Sequence, residues 1–239
     1  MISGLQENRD FKQMCVYNLK RIVEGVCPPN TDWEKNMLIF YEQGGIKTIA
    51  HILKKHSGDG EILEDCTKVL SQLPKHSRMG KIMCRKLVTD NAVIDTLEYL
   101  KKSPGLKGGL ENAMSMVQMC SEINPEAMGN AANIDAIFDV GKMFDGNACV
   151  VSAVAASNKA LCLNRKAAKV FVEEQGLEKV TARLNCKASS APSSLAQLYA
   201  LNKLVGYGKA NIQRLQDVNG LKRVVAVLDV YHEEARQKI

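Results

Sequence analysis

One apolar helical pattern recurs five times along the chain, and a fixed internal period of this size constrains the fold more than any other feature. The segments GGIKTIAHILKK, NAVIDTLEYLKK, NIDAIFDVGKMF, GLEKVTARLNCK and GLKRVVAVLDVY begin it at Ile46, Val93, Ile134, Leu177 and Leu221, in steps of 47, 41, 43 and 44 residues. Within each segment the apolar residues fall at i, i+3 or i+4, and i+7. Examples are Ile46, Ile49, Ala50 and Leu53; Val93, Leu97 and Leu100; Ile134, Ile137 and Phe138; Leu177, Val180 and Leu184; Leu221, Val224, Val225 and Leu228. Each is one amphipathic helix of about three turns, and all of these apolar positions are expected in the core.

A second helix must end just before each repeated one. Gly45, Asn91, Asn133, Gly176 and Gly220 stand at that junction, and these residue types accept the left-handed backbone that stops a helix. The preceding stretches read as short helices. Asp32 to Tyr41 opens with a capping box at Thr31 and Glu34, Asn124-Pro125-Glu126 supplies a cap and a first-turn proline, and Lys166 to Glu174 runs into Gln175-Gly176. Polar breaks follow each middle helix (Ser57 to Gly60, Ser103-Pro104-Gly105, Asp145-Gly146-Asn147, Ser189 to Ser194), and a longer apolar stretch follows each break. The expected unit is short helix, helix, long helix.

Three helices in roughly 42 residues with glycine between the first and second resemble the armadillo repeat over essentially the whole chain. The stretch EQGGIKTIAHILKK from Glu42 is similar to the family's second helix. Cys15 to Leu19, Val69 to Leu73 and Ala200 to Leu204 are similar to the end of its third. The resemblance implies an all-α, right-handed α-solenoid. It would be one domain over 1–239, with a partial unit at 1–30, full units at 31–75, 76–123, 124–164 and 165–208, and a partial unit at 209–239. The first would open on a third helix, Asp10 to Val23. A chain that opens and closes in mid-repeat reads as a segment of a longer array, with Asn8-Arg9-Asp10 and Glu233 to Lys238 as weak polar caps.

The resemblance also places the working surface, because in armadillo proteins the third helices line a concave groove that holds extended partners. Importin-like members clamp a basic peptide there with a ladder of asparagines, each with a tryptophan four residues earlier. The asparagine-equivalents here are Asn18, Gln72, Met119, Ala160 and Lys203, and the tryptophan-equivalents are Met14, Lys68, Ser115, Ala156 and Tyr199. The ladder is missing, and lysines stand where a basic cargo would be repelled. The candidate groove residues are Met14, Asn18, Lys68, Gln72, Ser115, Met119, Tyr199 and Lys203, with Tyr199 and Lys203 one turn apart as the leading pair. Their character favours an acidic protein or peptide partner. Trp33, the only tryptophan, reads as a packing residue.

Composition bears on the remaining classes. With 46% apolar residues the chain has ample material for a core, and a net charge of +6 without a basic cluster does not argue for nucleic acid. The longest apolar run, Ala148 to Ala156, is too short to span a bilayer. Eight cysteines contain no CxxC pair, and the histidines His51, His56, His76 and His232 are scattered. We therefore expect free thiols, no metal or other cofactor, and a reducing, cytoplasmic setting. Lys54-Lys55, Lys101-Lys102, Lys142 and Lys187 read as cations at the negative ends of second helices. No nucleophile elbow or phosphate loop is present, and Gly105 to Gly109 follows no strand, so no catalysis is expected.

The expected function is a non-catalytic scaffold or adaptor, with a cytoskeletal or vesicle-tethering complex as its setting. The alternatives are an armadillo-type nucleotide-exchange cofactor of a heat-shock ATPase chaperone, and a structural spacer in a longer solenoid.

Overall fold

The computed structural model describes residues 2–102, 109–184 and 190–236, with side chains to position 231. The break at 103–105, the glycine-rich stretch 105–108, Cys186, Lys187, Ser189 and the side chains of His232 and of the expected cap at 233–238 lie outside the described residues. Among those that are described there are helices and turns and no strand.

The chain divides into two compact units, Met1–Ala127 and Met128–Ile239. The first holds α1 (Ile2–Glu7), α2 (Lys12–Val26), α3 (Trp33–Glu42), α4 (Gly45–Lys55) and α5 (Gly60–Leu70). A 3-10 turn at Leu73–Lys75 leads to α6 (Gly80–Thr89), α7 (Ala92–Lys102) and α8 (Leu110–Ile123). Here α5 lies between α2 and α8, and α4 lies against α7. Long helices thus pack on long helices and middle helices on middle helices. After the four-residue α9 (Pro125–Met128), the second unit runs through α10 (Ala131–Met143), α11 (Ala148–Leu163), α12 (Arg165–Glu173), α13 (Gly176–Arg183), α14 (Ala191–Gly206), α15 (Lys209–Asp217) and α16 (Gly220–Arg236). In it α11 lies on α14 and α13 on α16.

Local chemistry sets the helix starts. The Asp59 carboxylate accepts from the Glu61 and Ile62 amides at 3.1 Å, and the Asn164 side chain accepts from the Lys166 and Ala167 amides at 3.0 Å. Asn130, Asn147 and Ser190 cap α10, α11 and α14 in the same way. At Thr31 the expected capping box does not form. Asp32 occupies the cap position without a side-chain bond, and Glu34 turns instead to Ser77, accepting from its amide at 2.9 Å and its hydroxyl at 3.2 Å. Those two bonds hold the Glu34 carboxyl below its ordinary pKa.

The helix junction at Asn91 is left-handed as expected, and three others differ from expectation by one residue. The left-handed positions are Gly44, Asn91, Gln175 and Asn219, while Gly45, Gly176 and Gly220 are the first residues of α4, α13 and α16. Those three glycines serve a different need. A Cβ on any of them would collide with Phe40, Phe171 or Leu215, the residue five positions earlier, so the short helix folds its last buried apolar side chain over the bare backbone of the next. Asn133 marks no junction at all: it is buried inside α10, three residues past the Asn130 cap.

Of the apolar positions expected in the core, those of α4, α7, α10 and α13 are buried. Those of α16 are not. Leu221, Val225 and Leu228 are 53%, 55% and 51% exposed, because among the described residues no helix covers that side of α16; Val227 is buried beneath it. The chain also opens on an unexpected element. α1 buries Ile2 and Leu5 against α2 and α4 before the first long helix begins at Lys12. Trp33 is half-buried and meets His76 edge to face at 6.5 Å, the packing role expected of it.

Candidate functional site

In the first unit, α2, α5 and α8 carry Met14 and Asn18, Lys68, and Ser115 and Met119, in that order, and Gln72 follows the end of α5. Met14 is 43% exposed and Lys68 is exposed, whereas Asn18, Gln72, Ser115 and Met119 are half-buried. The Asn18 amide is already committed locally, donating to the Met14 carbonyl at 2.9 Å and to Gly4 at 3.4 Å. Gln72 donates only to Ser71, at 3.4 Å. These residues offer thioethers, amides, a hydroxyl and one cation, with no concentrated charge.

The second unit is more defined. Tyr199 and Lys203 both lie on α14, and the Lys203 ammonium stands 5.3 Å from the centroid of the Tyr199 ring. A second ammonium, that of Lys159 on α11, stands at the same 5.3 Å from that ring. The ring is 37% exposed, and among the described residues neither lysine has an ion pair. Each of the two cations is attracted to the ring quadrupole, which offsets part of their mutual repulsion. This still leaves two uncompensated positive charges beside an open aromatic surface. Such a surface favours an anionic group carried on an apolar or aromatic segment.

The platform is held firmly. α11 and α14 make the most extensive helix-to-helix contact among the described residues, and both bury small side chains, Ala153 and Ser157 on α11 and Ser193 and Ala200 on α14. Buried Asn158 on α11 donates to Gln197 on α14 at 3.3 Å, and the Tyr207 hydroxyl, just past α14, donates to the Cys162 carbonyl of α11 at 3.0 Å. Tyr231 on α16 adds a 2.7 Å bond to Ser194. Sequence reasoning missed Lys159 because it placed neighbouring Ala160 at the groove position. α11 is so uniformly apolar that its own pattern does not fix which side faces α14.

Open grooves lie elsewhere among the described residues. One of about 390 Å³ beside α12 and the start of α15 is lined by Arg165, Lys169, Glu173 and Tyr207; another of about 500 Å³ beside α6 and α9 is lined by Lys81, Arg85 and Glu126. Each mixes both signs of charge. No cluster of three or more potential metal-ligating side chains occurs among the described residues. The described cysteines are free thiols: burial pushes Cys27 up to about 11 and raises Cys66 and Cys162 further. None of these carries the low pKa of an activated nucleophile. Cys84 is the exception in direction, lowered by a hydrogen bond with Cys120, but it is fully enclosed between α6 and α8. No helix among the described residues is long and apolar enough to cross a membrane.

No protein-family model, curated protein or solved structure matches this chain.

Proposed function

We propose that the protein is a non-catalytic armadillo-type scaffold that holds an extended acidic partner segment along its long third helices. Tyr199, flanked by Lys159 and Lys203, is the contact that takes an acidic side chain. One observation carries this reading: two ammonium groups that have no acid partner among the described residues stand beside one open aromatic ring. A carboxylate entering between them gains two charge-assisted bonds while its stem covers the tyrosine face. Met14, Asn18, Lys68, Gln72, Ser115 and Met119 act in this proposal as a softer contact surface within the first unit. The armadillo solenoid rests on the recurring three-helix unit, and the cytoplasmic setting on the cysteine usage. A cytoskeletal or vesicle-tethering complex is the setting we attach to such a scaffold.

Fluorescence anisotropy with a labelled polyglutamate peptide, against polylysine as a control, tests the proposal. Only polyglutamate should bind, more weakly as salt rises. Tyr199→Ala with Lys203→Glu should weaken binding by at least about 2 kcal/mol, roughly thirtyfold, and Lys159→Glu should act in the same direction. Charge reversal at Lys101 and Lys102 should leave affinity nearly intact. If the Lys101 and Lys102 reversal abolishes binding and the Tyr199 and Lys203 changes do not, the working surface lies on the outer helices. Affinity capture with crosslinking mass spectrometry then identifies the natural partner and the face it uses.

A further inference from the structure

The exposed face of α16 has a chemistry of its own. Leu221, Val225 and Leu228 occupy the positions that Ile46, Ala50 and Leu53 hold in α4 and that Val93, Leu97 and Leu100 hold in α7. Those six are buried, at 4% exposure or less. In α16 the other two shared positions, Val224 and Val227, turn inward, half-buried and buried, while the three outer ones are more than half exposed. Their i, i+4, i+7 spacing is the apolar seam of a two-helix pair.

Charge then narrows the choice of occupant. Lys222 and Asp229 lie two turns apart on the same flank of that seam, both exposed, and neither has an ion pair among the described residues. Laid in parallel about a two-fold axis, two α16 helices put these flanks on opposite sides of the seam, so neither Lys222 nor Asp229 meets its counterpart. Laid antiparallel about a two-fold axis, they bring Lys222 of each copy opposite Asp229 of the other, twice over, with the apolar seam enclosed between them. A two-fold interface is self-complementary by construction, and a flank carrying one charge of each sign, two turns apart, meets that requirement. We propose that α16 is a self-association surface: two copies of this chain pair their α16 helices antiparallel, burying Leu221, Val225 and Leu228 and forming two reciprocal Lys222 to Asp229 ion pairs. The seam supplies the affinity. The exposed ion pairs, individually weak, set the direction of pairing.

Sedimentation equilibrium on the full chain over a range of concentrations tests this. The expected result is a monomer–dimer equilibrium. Val225→Glu, on the exposed side of α16, should give a monomer whose thermal melt by circular dichroism matches the parent's at dilutions where the parent is also monomeric. Lys222→Glu and Asp229→Lys should each weaken dimerisation by about tenfold, and combining the two should restore it to within about threefold, because the swapped pair is again complementary. The proposal is overturned if the parent chain is monomeric throughout, which would leave the seam to a different protein. A dimer untouched by Val225→Glu would overturn it too, since the interface then lies elsewhere. A double swap no better than the single reversals would refute the antiparallel pairing.

Discussion

Gly176 sits directly beneath the ring of Phe171, so close that a methyl group on its Cα would overlap the ring carbons and the Phe171 carbonyl. The same five-residue relationship joins Phe40 to Gly45 and Leu215 to Gly220. Replacing Gly176 with alanine should therefore lower stability by about 1 to 3 kcal/mol, as overfilling a packed site does. Gly146→Ala, where nothing lies within 4 Å and φ is not in the left-handed region, should be neutral or stabilising by up to about 1 kcal/mol. Urea melts of the two variants give the contrast.

Burial separates two equivalent leucines. Leu53 in α4 is 1% exposed and Leu228 in α16 is 51% exposed. Leu53→Ala should cost about 2 to 5 kcal/mol, whereas Leu228→Ala should change the unfolding free energy of the monomer by less than about 1 kcal/mol. Denaturation should be followed at dilutions low enough to exclude association.

Asp59 links acidity to the stability of the first unit. Burial alone would raise its pKa, but the 2.5 Å ion pair with Lys12 and the bonds from the Ile62 and Glu61 amides outweigh it and bring the value below the ordinary 3.8. Its contribution is complete above that ordinary value and is lost as pH falls through the lower folded one. Asp59→Ala should cost about 1 to 2 kcal/mol at neutral pH through the lost cap. Asp59→Asn keeps the acceptor, so it should cost less and flatten the urea midpoint between about pH 2 and 4.

Alkali should act through Tyr99. Its ring is buried, and its hydroxyl donates toward the carbonyls of His56, at 3.1 Å, and Asp59. Burial holds the phenol neutral up to about 12. A proton retained more tightly in the folded state favours folding below the ordinary tyrosine pKa, about 10, and that advantage disappears as pH climbs through the folded value. Tyr99→Phe should cost about 1 to 2 kcal/mol at neutral pH and reduce the decline in stability between pH 10 and 12. Absorbance at the phenolate band and circular dichroism, followed together, check both.

The middle helices were legible because their apolar faces are continuous and their junctions carry glycine or asparagine. Leu53, Leu97, Ile137 and Val180 are all buried as their spacing implies. The one-residue error at the junctions has a physical origin: glycine answers both to a left-handed backbone and to a missing Cβ, and letters alone do not say which. Gly44-Gly45 shows the two needs side by side. α1 escaped notice because six residues with two buried apolar side chains make no periodic signal. On the candidate surface, Tyr199 and Lys203 were visible as an i, i+4 pair. Lys159 became visible only when α11 was placed against the ring, since no spacing within one helix records the rotation of its neighbour.

At three corners between a short helix and its successor, everything required lies inside six residues, from Phe40 to Gly45, from Phe171 to Gly176 and from Leu215 to Gly220. A joint that is self-sufficient over so short a stretch is a natural place to cut and rejoin coding sequence. Units exchanged at these corners would keep the elbow angle between helices, whatever they carried on their outer surfaces, so such an array can be recombined by parts without redesigning its hinges.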